Sequence, residues 1–350
     1  MTVSVGIVRP RPRRVLVVGL RYGPDSMEFH VVDALRHLQI QVEYFSARAG
    51  IPGLPALGQK ALTKLVNTWL REPERLVESR LLGIVDRFAP ELILVILGSQ
   101  VSPKTIDRIR ARSSAPVVCW CQDQMTTLGR QYLLGSNYDA VFVKDRYLHS
   151  LFSRMSGSGR FHYLAEACNP RVHRTLEPTA EDRARYGCDV MIAGTLYYYR
   201  QEILQALDAE FDLKVWGSRP DWLSYRLKSR HMGREVLGDE KAKAVRAARV
   251  ALNSFHFAEV DGLNCRAFEL AGCGAFQLCT HTPALAQHFV PGVEMETFDS
   301  LPELTEKIRH FLKHPDEAAA IAQRGQIRAH QEHTYEHRLE HIFKITSTNT

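Results

Sequence analysis

Asp261-Gly-Leu-Asn-Cys-Arg-Ala-Phe-Glu269 runs directly into Leu270-Ala-Gly-Cys-Gly-Ala-Phe-Gln-Leu278, and the apolar run Val250-Ala-Leu-Asn253 precedes both. The order reads as a buried strand, a glycine-containing loop, a short helix stopped at Gly272 or Gly274, and a second strand from Phe276 to Cys279. That is a βαβ unit whose polar loop lies at the carboxyl end of its first strand, the end where open α/β sheets bind ligands. The loop feeds a helix N-terminus, where free N–H groups and the helix dipole favour an anion such as a diphosphate. Two acids, Asp261 and Glu269, bracket the loop with seven residues between them. A carboxylate accepts hydrogen bonds from the vicinal hydroxyls of a ribose or another sugar, and Arg266 suits a phosphate. The same spacing also fits an exposed helix glutamate, a turn aspartate beside Gly262 and a surface arginine, and by itself it leaves both readings open.

Upstream, Cys188-Asp-Val-Met-Ile-Ala193 reads as another strand, followed by Gly194-Thr195-Leu-Tyr-Tyr-Tyr-Arg200 and an amphipathic helix from Gln201 to Ala209. Gly194 permits close backbone approach, and Arg200 is placed either to meet a diphosphate or to be solvated. Leu213-Lys-Val-Trp216-Gly217 is the next strand. Trp216 could stack on a base, with Gly217 giving clearance, or pack in the core. Asp239 is placed to cap a helix from Glu240 to Ala248. Thr334 is placed to cap the last helix, and His330, His333, His337 and His341 read as a solvated or packing face rather than a metal site.

The first half opens with the β-branched strand Val15-Leu-Val-Val-Gly19 and a loop, Gly19 to Ser26, that contains Gly23. The opening is Rossmann-like, but the Gly-x-Gly-x-x-Gly fingerprint is absent. Leu57 to Phe88 reads as helical in two pieces broken near Pro73, basic and amphipathic, with Trp69 on it. Glu91-Leu-Ile-Leu-Val-Ile-Leu97 is the clearest central strand, and Val117-Val-Cys-Trp120 delivers Cys121-Gln-Asp123 to the same sheet edge. Asp123 suits contact with an acceptor hydroxyl or the donor sugar, or equally a helix cap. These elements give a flexible N-terminus over 1–14, a first domain over 15–168, a linker over 169–187, a second domain over 188–330 and a C-terminal segment over 331–350.

A chain of 350 residues has room for about two full cores. Its apolar and charged fractions, 45% and 24%, are those of an ordinary globular protein. No apolar run approaches the roughly 20 residues needed to span a bilayer, and Met1 to Arg14 lacks the apolar core of a secretory signal. Seven scattered cysteines read as reduced and mostly buried, which suggests a cytoplasmic protein. The net charge is +6, with basic residues gathered in Lys60 to Arg80 and Arg219 to Arg249. No nucleic-acid motif accompanies them, so we expect no nucleic-acid partner. A groove for phosphorylated donors, or peripheral contact with anionic lipid, accounts for the charge equally well.

The segment 261–278, the Gly-Thr-x-x-x-x-Arg pattern of 194–200 and His333-Thr-Tyr-Glu-His-Arg338 together resemble the CgeB-like (spore maturation protein) glycosyltransferases, within the retaining group that has two Rossmann-like domains, the GT-B fold. The likeness is strong from about Asp189 to Phe343. Where the wider retaining group has Glu as the first acid, this chain has Asp261, which shortens the reach to the donor sugar. The resemblance implies an α/β protein of two Rossmann-like domains facing across a cleft, with the C-terminal helix crossing back to the first. It implies transfer of a sugar from a nucleoside-diphosphate sugar to an acceptor hydroxyl, with retained anomeric configuration. Glu269 would bind the ribose, Asp261 and the backbone of Gly262, Leu263 and Asn264 the sugar or phosphates, and Arg200 and Arg266 the diphosphate. Loops after Val18, Leu97 and Trp120 would take the acceptor, be it polysaccharide, protein, lipid or small natural product. The chain has no Asp-x-Asp metal motif, so metal-independent transfer with no cofactor is expected. A nucleotide-sugar epimerase would use the same architecture without an acceptor, and a non-catalytic sugar-nucleotide-binding protein would show neither turnover.

Overall fold

A computed structural model of the chain describes residues 10–20, 22–47, 74–98, 100–125, 128 and 131–348. The N-terminal lead-in up to 9, Trp69 and the first of the two helical pieces expected after Leu57 lie outside these residues, as does most of the Lys60 to Arg80 basic cluster.

Strands and helices alternate, and the chain divides into two compact units. The first contains residues up to Lys144, Leu148–Leu164 and Leu339–Thr350. Its strands are β1 (Arg14–Gly19), β2 (Gln41–Ser46), β3 (Leu92–Ile96), β4 (Val117–Cys121), β5 (Ala140–Val143) and β6 (Phe161–Tyr163). They form one parallel sheet in the order β2-β1-β3-β4-β5-β6. β3 and β4 are buried at every position, as continuous apolar runs should be when helices cover both faces.

The second unit contains Asp145–Tyr147 and Ala165–Arg338. Its strands are β7 (Cys188–Ala193), β8 (Leu213–Trp216), β9 (Ala248–Asn253), β10 (Gln277–Thr280) and β11 (Glu296–Phe298), ordered β11-β10-β9-β7-β8 and again all parallel. One face of this sheet is covered by Leu204, Leu207, Leu304, Ile308 and Phe311, from the helices Tyr198–Leu207 and Leu301–Lys313. The other face is covered by Ala242, Ala244 and Val245 from Gly238–Ala247 and Leu270 from Cys265–Gly272.

The stretch 169–187, read from sequence as a linker, belongs to this second unit. It carries the helix Ala180–Tyr186, started by a reciprocal capping box between Thr179 and Asp182. The last helix, Tyr335–Thr348, divides at Arg338: its first turn groups with the second unit and the rest with the first. Thr334 caps it, its hydroxyl accepting from the His337 N–H at 3.4 Å. The four histidines near this end go to different partners. His330 bonds the His173 carbonyl, His333 the His288 carbonyl and His337 the Thr334 hydroxyl, while the His341 ring meets Phe142.

Candidate functional site

In the second unit the chain passes from β7 out to β8 and then back across to β9, so the connections leave β7 and β9 in opposite directions. The crevice at the carboxyl ends of such a pair is where open α/β sheets bind ligands. Gly194 ends β7 with φ 116°, and its N–H donates to the Trp216 carbonyl at 2.8 Å. The Arg266 guanidinium lies where a Gly194 Cβ would be. Gly217 ends β8 with φ 146°, and a Cβ there would strike the Gly194 carbonyl oxygen. Both positions therefore need glycine, for conformation and for space.

At the end of β9, the side-chain amides of Asn253 and Asn264 bond each other twice, at 3.1 and 2.9 Å. Asn264 is also the N-cap of the helix Cys265–Gly272, its Oδ1 accepting from the Ala267 N–H at 3.1 Å. The strand end is thus fastened directly to the helix start. The helix closes in a Schellman motif. Gly274 has φ 69° and donates to the Ala271 carbonyl, and Ala275 donates to the Leu270 carbonyl.

Arg266 projects from the first turn of that helix. Its hydrogen bond is a long one, to Asn253 Oδ1 at 3.4 Å. Arg200 is buried, 3% exposed, and its donors bond the Ser254 hydroxyl at 3.0 Å and the carbonyls of Ser254 and Thr195. The sequence placed Arg200 to meet a diphosphate. In the structure its N–H groups serve protein oxygens instead, tying the β7 loop to the β9 loop, and its ring-face neighbours are Tyr197 and Tyr199. Thr195 is exposed and takes part through its carbonyl. Burial first, then repulsion from Arg266, pulls the Arg200 guanidinium below its usual value. Among the described residues neither arginine pairs with a carboxylate. The crevice thus holds two close positive charges beside a helix N-terminus, neither charge paired with a carboxylate of the described residues.

The acids stand on either side. The loop backbone at Asp261 is pinned by Asp145, whose Oδ2 accepts from the N–H groups of Val260 and Asp261 at 3.0 and 3.1 Å. Asp261 returns a bond from its carbonyl to the Arg146 N–H at 2.9 Å. Its own carboxylate Oδ1 is buried and has no hydrogen-bond partner among the described residues. Gly262 and Leu263 are buried in the loop, and Thr282 bonds the Gly262 carbonyl. Glu269, 8% exposed, forms an ion pair at 3.0 Å with Lys241, 9% exposed, from the helix Gly238–Ala247.

Trp216 is in the core. It is 2% exposed, its ring is covered by Tyr186 and by the Arg234 guanidinium, and no face is left for a base. Lys241, Asn253, Ser254 and Asp145 were not singled out from the sequence. A polar residue closing an otherwise apolar strand was the available signal for Asn253. The Lys241 and Asp145 contacts span 28 and 116 residues, and no local pattern reveals them.

In the first unit the strand order reverses between β1 and β3. Gly19 ends β1, and a Cβ there would collide with the buried Glu28, whose Oε1 accepts from the Leu20 N–H at 2.9 Å. Gly23 opens the turn into the helix Met27–His37, its N–H reaching the capping Ser26 hydroxyl at 3.3 Å. Leu97 and Gly98 end β3 at φ 68° and 72°, and the non-glycine Leu97 is held in a sparsely populated region. Asp123 is exposed beyond β4.

Residues 200–344 match a family model described as glycosyl transferase-like. Solved structures match nearly the whole chain. Sucrose-phosphate synthase from Thermosynechococcus elongatus aligns at 13% identity, covering 94% of this chain and 97% of that one, with a TM-score of 0.65. A glycosyltransferase from Rickettsia africae aligns at 10% identity over 96% and 99%, TM-score 0.67. Anabaena HepE, solved with UDP and glucose, aligns at 12% identity over 94% and 98%, TM-score 0.61. The fold is GT-B. No curated protein matches the chain. Within the GT-B fold, the crevice at β7 and β9 lies in the second unit; its β9 side, from Arg200 through Asp261 and Arg266 to Glu269, falls inside the segment that the family model matches, while β7, Gly194 and Thr195 precede it.

Proposed function

We propose that this GT-B protein transfers a sugar from a nucleoside-diphosphate sugar to an acceptor hydroxyl. The observation that carries the reading is the unneutralised pair Arg200 and Arg266 beside the N-terminus of Cys265–Gly272. Two like charges brought together at a sheet's switch point, beside a helix N-terminus, favour an anion. In this reading Arg266 and the first-turn N–H groups hold the diphosphate, and Arg200 fixes the loops while adding its charge. Asp261 offers its unpartnered Oδ1 to a hydroxyl of the donor sugar, with the backbone of Gly262 to Asn264 beside it. Glu269 takes the ribose hydroxyls, its charge balanced by Lys241.

As the glycosidic bond breaks, negative charge grows on the leaving diphosphate. The arginines and the helix N-terminus stabilise it without rearranging. This supply of positive charge, together with the lack of an Asp-x-Asp motif, supports transfer without a divalent metal at the donor. The likeness of 261–278 to the CgeB-like and wider retaining group supports retention of anomeric configuration. UDP is the first nucleotide to try, because HepE was solved with UDP and with UDP-glucose.

The test is a thermal-shift series with UDP, GDP, TDP, CDP and their common sugars, with magnesium and with chelator. A ligand that binds the native state alone at 100 times its Kd adds about 2.7 kcal/mol of stability. We expect one nucleotide to raise the melting temperature equally under both conditions. A protein indifferent to every nucleotide would overturn the reading. Sugar release only with an acceptor present separates transfer from epimerisation.

A further inference from the structure

We propose that His310, His314 and Glu317 form a surface site for a divalent transition-metal ion, zinc foremost, that clips together two consecutive helices. His310 lies in the last turn of Leu301–Lys313, His314 is the residue between the helices, and Glu317 is in the first turn of Pro315–Glu332. One ligand atom from each lies within 4.8 Å of the other two. His310 Nε2 already meets Glu317 Oε2 at 2.9 Å. His314 Nδ1 is bonded to the His310 backbone carbonyl at 2.7 Å, which makes it the protonated nitrogen and leaves Nε2 as the donor to metal. A backbone carbonyl fixing the far ring nitrogen is the usual partner of a metal-binding histidine. The two rings stack with centroids 4.2 Å apart, which holds them side by side on one face.

Two imidazoles and a carboxylate match zinc rather than magnesium or calcium, which prefer all-oxygen sites. Tetrahedral zinc with bonds of about 2.0–2.2 Å sets its ligand atoms roughly 3.3 Å apart. His310 Nε2 and Glu317 Oε2 are 2.9 Å apart, and a ring nitrogen of His314 lies within 4.8 Å of both, so small side-chain adjustments reach that spacing. His310 and Glu317 are 46% and 53% exposed, so an ion and a completing water can enter. The ion takes the place of the proton shared by His310 and Glu317. The site is separate from the crevice at β7 and β9. Its consequence is structural, because the helix Pro315–Glu332 packs on the helix Cys265–Gly272, with Gln326 Nε2 donating to the Gly272 carbonyl at 3.2 Å.

The test is calorimetric titration of zinc into chelator-treated, tag-free, full-length protein. One ion per chain is expected at this site, with no response to magnesium. His310→Ala and His314→Ala should each weaken zinc binding at least tenfold, and Glu317→Gln should weaken it less. Zinc should raise the melting temperature of the wild type but not of the His314→Ala protein, while nucleotide binding stays the same in chelator. Absence of zinc binding, or an unchanged isotherm in the His310→Ala/His314→Ala protein, would overturn the proposal.

Discussion

Lys241 and Glu269 illustrate how one residue's role depends on a partner far along the chain. Both are buried and sit 3.0 Å apart. Removing one member of a buried ion pair strands the other, at a cost of about 3–5 kcal/mol, whereas replacing both can be nearly neutral. Glu269→Gln should therefore lower the urea midpoint strongly, and Lys241→Met in the same chain should recover most of the loss. Donor binding should be absent from both variants. A Lys241→Met/Glu269→Gln protein that is stable and still binds nucleotide would remove Glu269 from the ribose role. The sequence pointed to Glu269 through its spacing from Asp261. It could not point to Lys241, because that lysine belongs to another helix and the contact exists only once both helices pack on the sheet. Arg200 and Trp216 show the opposite limit. Both sit where a ligand residue would be in the pattern, but side-chain direction is set by packing. The guanidinium turned to the Ser254 and Thr195 carbonyls and the indole turned into the core.

At the scale of the element, the helix Cys265–Gly272 is short, and its ends account for much of its definition. Asn264→Ala removes both the cap and the partner of the buried Asn253 amide. The two losses, a cap and an orphaned polar group, come to about 2–4 kcal/mol. Chemical unfolding of Asn264→Ala should show that drop. Asn264→Asp, which keeps the cap acceptor, should lose less, and equal losses would count against the cap. The order strand, loop, helix, glycine stop and strand was legible from 250–279, because apolar periodicity and glycine position encode it locally. The ends were less so. The strand expected from Phe276 begins at Gln277, since Gly274 and Ala275 are engaged in closing the helix. Asp239, expected as a cap, lies inside its helix and pairs with Arg174 at 3.1 Å, while Leu237 occupies the cap position.

For the molecule as a whole, pH should act through His288 and His333. Burial first, then His333 and Arg338, lowers His288 to about 3, and burial and Arg338 lower His333 to about 4. Unfolded histidine takes a proton near 6.5. Between that pH and the folded values, the unfolded chain binds protons that the folded chain does not, so stability falls as pH falls. The slope is about 1.4 kcal/mol per pH unit for each histidine. The melting temperature should decline from pH 6.5 to 4.5, and His288→Gln should flatten that decline. Matching slopes in the two proteins would show that these rings do not set it. Among the described residues no helix is long and apolar enough to cross a membrane. The two-sheet architecture was legible because the central strands β1, β3, β4, β5 and β9 are written as largely apolar runs. The return of the last helix to the first unit was expected from family likeness alone, and its division at Arg338 was not foreseen.

The divided last helix constrains how the chain is made. The first unit takes Leu339–Thr350 from the far end of the sequence, and Leu339, Ile342 and Phe343 are buried there. On the ribosome, residues 165–338 emerge before those side chains do. The unit that begins first is therefore still short of these helical turns when residues 165–338 have already left the exit tunnel.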